Sequence, residues 1–205
     1  TDWAVLHCHG NAGNISGRRP QISLFNQLPA AVFIFDYRGY GRSAGSPDEA
    51  GLYADVEGAW EVLRQRGFAA DRMIVHGSSL GSGPAAEIAQ RKQPAALVLE
   101  AAFTSIPDLA ADLYPLVPRL LVRTQFDNRR KVAAIACPKL IVHGTDDEIV
   151  PVRHARELAA AAAEPVELYL VEGAPHNAPW AETEAYLEHL RALMRRAEAS
   201  ADARH

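Results

Sequence analysis

Ser79 stands in Gly77-Ser78-Ser79-Leu80-Gly81, between a run that reads as a strand, Met73-Ile74-Val75-His76, and one that reads as a helix, Pro84 to Lys92. A nucleophile on a strand-to-helix turn brings its own backbone into close contact, so small residues are needed two positions before and two after it. Gly77 and Gly81 provide them. The turn also sets the hydroxyl at a helix N-terminus, where free N–H groups and the helix dipole favour developing negative charge. A serine hydroxyl is a weak nucleophile by itself and needs a base, an acid to orient that base, and an oxyanion hole.

His176 is the candidate base. It follows Gly173-Ala174-Pro175 on a loop after the last strand-like run, from which it can reach Ser79 as general base and then acid. A surface-loop histidine is the plain alternative, and the chain order after a serine turn favours catalysis. The candidate acids lie in Gly144-Thr145-Asp146-Asp147-Glu148-Ile149-Val150-Pro151. Residue chemistry leaves Asp146 and Asp147 open, and at least one of them is expected to be a solvated turn residue capping the helix after Pro151. Glu100, ending the run Ala96 to Leu99, is a further carboxylate at the same edge. For the oxyanion hole, one donor is the amide of Leu80; the other is expected from His9-Gly10-Asn11-Ala12-Gly13-Asn14, with Asn11 first and Ala12 second.

These residues need a scaffold that gathers them. Apolar runs recur at Ala4-Val5-Leu6, Ala31 to Phe35, Met73 to Val75, Ala96 to Leu99, Leu140 to Val142 and Val166 to Val171, a pattern that suits strands covered on both faces. Leu52, Val56, Trp60 and Leu63 share one helical face, as do Tyr186, Leu187, Leu190, Leu193 and Met194. The alternation predicts an α/β fold, an open and mostly parallel sheet with helices on both faces, in one domain over residues 1–205. Three strands end in His-Gly, at 9–10, 76–77 and 143–144. Ligands bind such sheets outside the carboxyl ends of the strands, so these segments converge there. His9, His76 and His143 themselves read as structural, holding loop backbones, and His154, His189 and His205 receive no role. Residues 103–136 break the pattern: Pro107, Pro115 and Pro118 cut a leucine-rich stretch into short helical pieces, an excursion over the carboxyl edge. The tail after Arg196 is polar and is expected to fray.

Composition narrows the function. The chain has 205 residues, 48% hydrophobic and 22% charged, enough for a substantial core, and its net charge of -4 provides no basic stripe for nucleic acid. No apolar stretch approaches the roughly 20 residues a membrane span requires. Cys8 and Cys137 sit in or beside apolar runs and read as small buried thiols rather than a disulfide. A cytoplasmic protein acting on a small-molecule ester or acyl substrate, with no metal or organic cofactor, is the expectation.

Taken together, HGNAGN (9–14), DYRGYGRSAGSP (36–47), GSSLG (77–81), HGTDDEIVP (143–151) and GAPHN (173–177) resemble the α/β-hydrolase superfamily over nearly the whole chain. Within it they are similar to the small serine hydrolases related to the eukaryotic α/β-hydrolase-domain depalmitoylases and their bacterial homologues. The resemblance implies the nucleophile-acid-base order Ser79, Asp147, His176, which selects Asp147 over Asp146. It implies that Asp36, Tyr37 and Arg38 fix loops near the site without a catalytic role. It also implies two further strands before the one ending at His9-Gly10, so that Ala31 to Phe35 lies on an open edge and residues, with or without a membrane anchor, are missing upstream of Thr1. The lipidated cysteine-rich leaders of the depalmitoylating relatives are not seen in these residues, which leaves that activity an analogy.

The activity implied is a carboxylesterase or thioesterase, with an acyl-aminopeptidase-like amide hydrolase as the alternative. A non-catalytic binding module on the same fold is a second alternative. A dinucleotide-binding domain is a third, because Gly81-Ser82-Gly83-Pro84-Ala85-Ala86 fits GxGxxA and Glu100 follows 19 residues after Gly81. Its register is poor, since Ser78-Ser79-Leu80 separate the strand-closing Gly77 from that motif. Haloalkane dehalogenation requires a carboxylate where this chain has Ser79.

Overall fold

The apolar runs form six strands, β1 (Trp3–Cys8), β2 (Ala30–Ile34), β3 (Met73–Ser78), β4 (Ala96–Glu100), β5 (Lys139–Gly144) and β6 (Val166–Val171). They lie in the order β2-β1-β3-β4-β5-β6 with every neighbouring pair parallel, so all six carboxyl ends share one edge. The structure, a computed structural model, describes residues 1–116, 118–177 and 183–202.

Among the described residues, seven α-helices connect or flank the strands: α1 (Arg19–Phe25), α2 (Glu49–Gln65), α3 (Ser82–Lys92), α4 (Ile106–Leu113), α5 (Asn128–Val132), α6 (Arg153–Ala161) and α7 (Thr183–Asp202). Alternate residues of each strand point to opposite faces. On one face Leu52, Val56, Trp60 and Leu63 of α2, Ile88 of α3 and Leu158 of α6 cluster with Leu6, Val75, Leu97 and Ile141. On the other, Leu24 and Phe25 of α1 and Tyr186, Leu190 and Leu193 of α7 cluster with Val5, Ile74, Val98 and Leu140. Burial on both sides explains why these strands read as continuous apolar runs. β2 and β6 are the exceptions: they form the two edges of the sheet, the five residues of β2 are only partly buried, and in β6 only Val171 is fully buried.

Asp48 starts α2 by accepting a hydrogen bond from the Gly51 amide at 2.6 Å, and Ser105 starts α4 in the same way from Asp108 at 3.1 Å. The proline-rich excursion is a set of short pieces as expected: α4, a single 3-10 turn at Arg119–Leu121, and α5. Its inner side, Ile106 and Leu109, packs against the core beside the carboxyl edge, while Leu116 and Leu120 are 94% and 86% exposed.

The expected fraying after Arg196 is corrected. α7 continues to Asp202 because Ala197 and Ala201 extend its buried stripe and Arg196 pairs with Glu167 on β6. His205 lies outside the described residues. Cys8 and Cys137 are free and buried, and burial pushes the Cys8 thiol up to about 12. Among the described residues, no helix is long and apolar enough to cross a membrane.

Candidate active site

β3 ends at Ser78, and the chain turns at once through a 3-10 turn, Ser79–Gly81, into α3. Ser79 has φ 51°, a left-handed conformation that a non-glycine residue holds only under constraint. The constraint is close packing. A Cβ on Gly81 would lie 2.0 Å from the Cys8 carbonyl oxygen, and one on Gly77 would lie 2.5 Å from both the Ala85 side chain and the Gly81 carbonyl oxygen. Both glycines therefore serve approach between backbones, as the pentapeptide predicts.

The loop after β6 carries His176 to this turn. Its Nε2 is 3.0 Å from the Ser79 hydroxyl oxygen, and its Nδ1 is 2.7 Å from Asp147 Oδ2. A carboxylate only accepts, so Nδ1 carries the proton and Nε2 is left to accept from the serine. Asp147 Oδ1 accepts the amides of Ile149 at 2.9 Å and Val150 at 2.7 Å. Burial would raise its pKa, but hydrogen bonds from His143, His176 and the Val150 amide outweigh it and hold the carboxyl well below the usual range.

Asp146 is exposed, and neither it nor Asp147 caps α6, whose N-cap is Val152 without a side-chain bond. The expectation of an acidic cap is corrected: Pro151 and Val152 carry the chain into the helix, and the Asp147 carboxylate closes its own turn instead. Glu100 points to the opposite face of the sheet. Tyr186 donates to its Oε2 at 3.1 Å, His76 Nε2 donates to Tyr186 at 3.2 Å, and His7 and His76 meet through their Nδ1 atoms at 2.9 Å. Burial opposes ionisation of Glu100, yet His76, Ser78 and Tyr186 together hold it below its ordinary value. It is occupied in a buried polar layer under the serine turn and does not reach His176.

Gly10, Asn11, Ala12 and Leu80 line the same cleft as Ser79 and His176. The loop is fixed from several sides: Tyr37 donates to the His9 carbonyl at 3.1 Å, Tyr40 donates to Asn11 Oδ1 at 2.6 Å, and Asp36 accepts the Ile15 amide at 2.9 Å. Arg38 pairs with Asp55 away from the loop. The cleft has a volume of about 760 Å³, with an apolar wall that includes Leu52, Phe103, Ile106, Leu109, Phe126 and Val150. Glu49 holds Phe126 in that wall, accepting the Gln125 amide at 2.7 Å and the Phe126 amide at 2.9 Å.

Sequence reasoning missed two contacts. His143, read as structural, donates from Nε2 to the Val150 carbonyl at 2.8 Å and also lies 3.2 Å from Asp147 Oδ2, so it braces the carboxylate directly. Glu148 accepts the His176 amide at 3.1 Å. No periodicity signals either, because both contacts form across irregular loops.

The GxGxxA match has another explanation. The missing side chain of Gly81 makes room for Cys8, and a Cβ on Gly83 would sit 2.2 Å from the Phe126 ring, so the protein itself fills the space a pyrophosphate would need. The described residues contain no group of three or more His, Cys, Asp or Glu suited to a metal ion.

A family model described as serine aminopeptidase, S33, matches residues 1–126. The chain belongs to this family of α/β-hydrolases. It is 36% identical over 193 residues to α/β hydrolase domain-containing protein 17B of Homo sapiens, covering 93% of this chain and 65% of that protein. It is 40% identical over 178 residues to an uncharacterized protein of Mycobacterium tuberculosis strain H37Rv, covering 86% of this chain and 63% of that one. The chain thus spans slightly less than two thirds of these relatives. In fold it is similar to the Pyrococcus furiosus esterase Pf2001 (TM-score 0.78, 20% identity, covering 96% of this chain and 81% of that one). It is also similar to Est1E of Butyrivibrio proteoclasticus with ferulic acid bound (TM-score 0.77, 19% identity, 94% and 90% covered).

The electrostatics of Asp147 lead to an expected pH dependence of stability. A carboxyl whose folded value is depressed adds stability above its unfolded value of about 3.9, and that stability disappears as pH falls toward the folded value. In urea unfolding, the stability difference between the native protein and Asp147→Asn should therefore narrow as pH falls below about 4. A difference that stays constant down to pH 2 would show that the charge of Asp147 is not what the site stabilises.

Proposed function

We propose that this α/β-hydrolase, as one domain over residues 1–205, cleaves a carboxylic ester or thioester through Ser79, His176 and Asp147. The observation that carries the reading is the unbroken hydrogen-bond chain from Ser79 through His176 to Asp147, opening on a cleft with an apolar wall. Ser79 Oγ attacks the acyl carbon while His176 Nε2 takes its proton, and Asp147 stabilises the imidazolium. The charge that builds on the carbonyl oxygen is met by the amides of Leu80 and Asn11. Collapse of the tetrahedral intermediate expels an alcohol or thiol that takes the proton from His176. Water, deprotonated by His176, then releases the acid and restores Ser79.

The family description favours a second reading, an aminopeptidase-like amide hydrolase. An exopeptidase needs a free carboxylate to receive the substrate ammonium. Of the carboxylates on the cleft wall, Glu49 is engaged through both oxygens by Gln125, Phe126 and Tyr53, while Asp48 uses Oδ1 to accept the Gly51 amide at the start of α2. That occupation supports the ester reading.

A panel of 4-nitrophenyl esters from two to sixteen carbons, with matched thioesters and aminoacyl anilides, tests it. Each methylene that enters the apolar wall contributes about 0.8 kcal/mol, so kcat/KM should rise roughly three- to fourfold per carbon until the wall is filled. Faster turnover of the anilides than of every ester would overturn the reading.

A further inference from the structure

The loop bearing Gly10, Asn11 and Ala12 is held by one side chain that neither the motif reading nor the family assignment singles out. Arg18 sends Nη2 to three successive carbonyls of that loop, Gly10 at 3.2 Å, Asn11 at 3.3 Å and Ala12 at 2.6 Å. His9 Nδ1 donates to the same Gly10 carbonyl at 2.8 Å. The guanidinium appears in none of the carboxylate pairs of the described residues, and its Nε is buried without a hydrogen-bond partner. We propose that Arg18 is the positioning residue of the oxyanion hole, turning the peptide units of residues 10–12 so that their N–H groups face the reacting carbonyl. This inference rests on the proposed serine-hydrolase reading.

The carbonyl of Gly10 and the amide of Asn11 belong to the same planar trans unit and point in opposite directions. Two donors on the Gly10 carbonyl therefore aim the Asn11 N–H the other way, and the bonds to the Asn11 and Ala12 carbonyls do the same for the next two amides. Without them, rotation of any of these units would present a carbonyl oxygen to the cleft, where it would repel the oxyanion. Ala12 has φ 63° and Gly13 φ 66°, and an alanine in that region is strained by its own Cβ, so the turn requires an outside restraint. Arg18 supplies one on the backbone itself, through the Ala12 carbonyl at 2.6 Å.

Charge acts in the same direction. A hydrogen bond from a cation to a carbonyl polarises the peptide and strengthens its N–H as a donor. The field of Arg18 reaches its surroundings: burial lowers His9 first, and the guanidinium contributes to the same lowering. Gly10 brings the loop against the serine, since a Cβ there would sit 3.3 Å from the Ser78 carbonyl oxygen and 3.4 Å from Ser79 Cβ.

The test compares the native full chain with Arg18→Ala and Arg18→Lys on 4-nitrophenyl butyrate. For Arg18→Ala, kcat should fall about 10²-fold, the scale of losing one oxyanion donor, with KM changed less than threefold. Affinity for a trifluoromethyl ketone, which forms a tetrahedral oxyanion on serine, should fall by the same factor, while affinity for an unreactive ether of the same shape stays constant. Added guanidinium chloride in the low millimolar range should restore part of the lost rate in Arg18→Ala, and sodium chloride should not. Arg18→Lys, whose shorter side chain keeps the charge but brings its ammonium less far toward the three carbonyls, should fall between the two. Unchanged kcat in Arg18→Ala, or equal weakening of ketone and ether without guanidinium rescue, would overturn the proposal. Should Arg18→Ala fail to fold, an Arg18→Lys protein with native kcat and native ketone affinity overturns it as well. Absence of turnover and of ketone adduct in the native protein would instead mark failure of the serine-hydrolase reading itself.

Discussion

Ser79→Ala should lower kcat by roughly 10⁴–10⁶-fold, the range for losing a nucleophile that works as a unit with its base, while leaving the fold intact. The substitution keeps the backbone and Cβ of the turn and removes a single hydroxyl, which is hydrogen-bonded to His176 at 3.0 Å. Loss of one such bond costs about 1 kcal/mol, which for a chain of this size shifts the melting temperature by about 2–4 °C. The measurement pairs turnover with thermal unfolding and labelling by a fluorophosphonate probe. Native protein should be labelled at Ser79 and the variant should not. A variant that retains more than a tenth of the native rate would show that the nucleophile lies elsewhere.

Gly81→Ala is expected to damage both stability and activity. Gly81 has φ −61°, ordinary helical backbone, so alanine would be acceptable by conformation alone. What excludes it is space: the new Cβ would lie 2.0 Å from the Cys8 carbonyl oxygen and 2.7 Å from that of His9, both backbone atoms that cannot swing aside. Either β1 shifts, displacing Gly10 and Asn11 from the cleft, or α3 tilts and carries Ser79 away from His176. Overpacking of this kind costs about 3 kcal/mol, a large share of a typical 5–15 kcal/mol total. The control is Gly58→Ala, inside α2 with nothing within 4 Å of the added Cβ, where about 0.5–1 kcal/mol of stabilisation is expected. Equal melting temperatures for the two variants would show that the close approach at the turn is not tight.

The contrast between these glycines shows how far one-dimensional reading reaches. Gly81 was legible because it stands at a fixed distance from a serine in a strand-to-helix pattern, and the motif carries the reason for its size. The strands were legible because residues covered on two faces must be apolar in unbroken runs. The short helices of residues 103–136 followed from prolines that each end a hydrogen-bonded turn. α7 was misjudged at its end because Ala197 and Ala201 are small enough to pass as filler in a polar tail, and their burial depends on a sheet face that local sequence does not describe. The expected acidic cap of α6 failed for a related reason: Asp147 had a better use three residues along its own turn, and a carboxylate that accepts the Ile149 and Val150 amides and faces two histidines has no capacity left to cap a helix.

His143 and Arg18 illustrate the remaining limit. His143 looked like the other two histidines that precede glycine at strand ends, yet His76 turns toward Tyr186, while His143 faces Asp147. Which face a strand residue takes is periodic; what waits on that face is not. Arg18 lies in a short polar segment before α1 with no motif around it, and its three carbonyl partners are set by how the chain folds back on itself.

By itself the sequence determined the α/β alternation, the turn that exposes Ser79, and a chain order in which an acid and a histidine follow it, because each depends on residue type at short range. Only the tertiary structure decided that His176 lies 3.0 Å from Ser79, that Asp147 rather than Glu100 faces it, and that the glycines after Ser79 are filled by the protein's own atoms. Those outcomes depend on where six parallel strands bring their carboxyl ends, and contacts between segments as far apart as residues 79 and 176 are distances in space that no local pattern encodes.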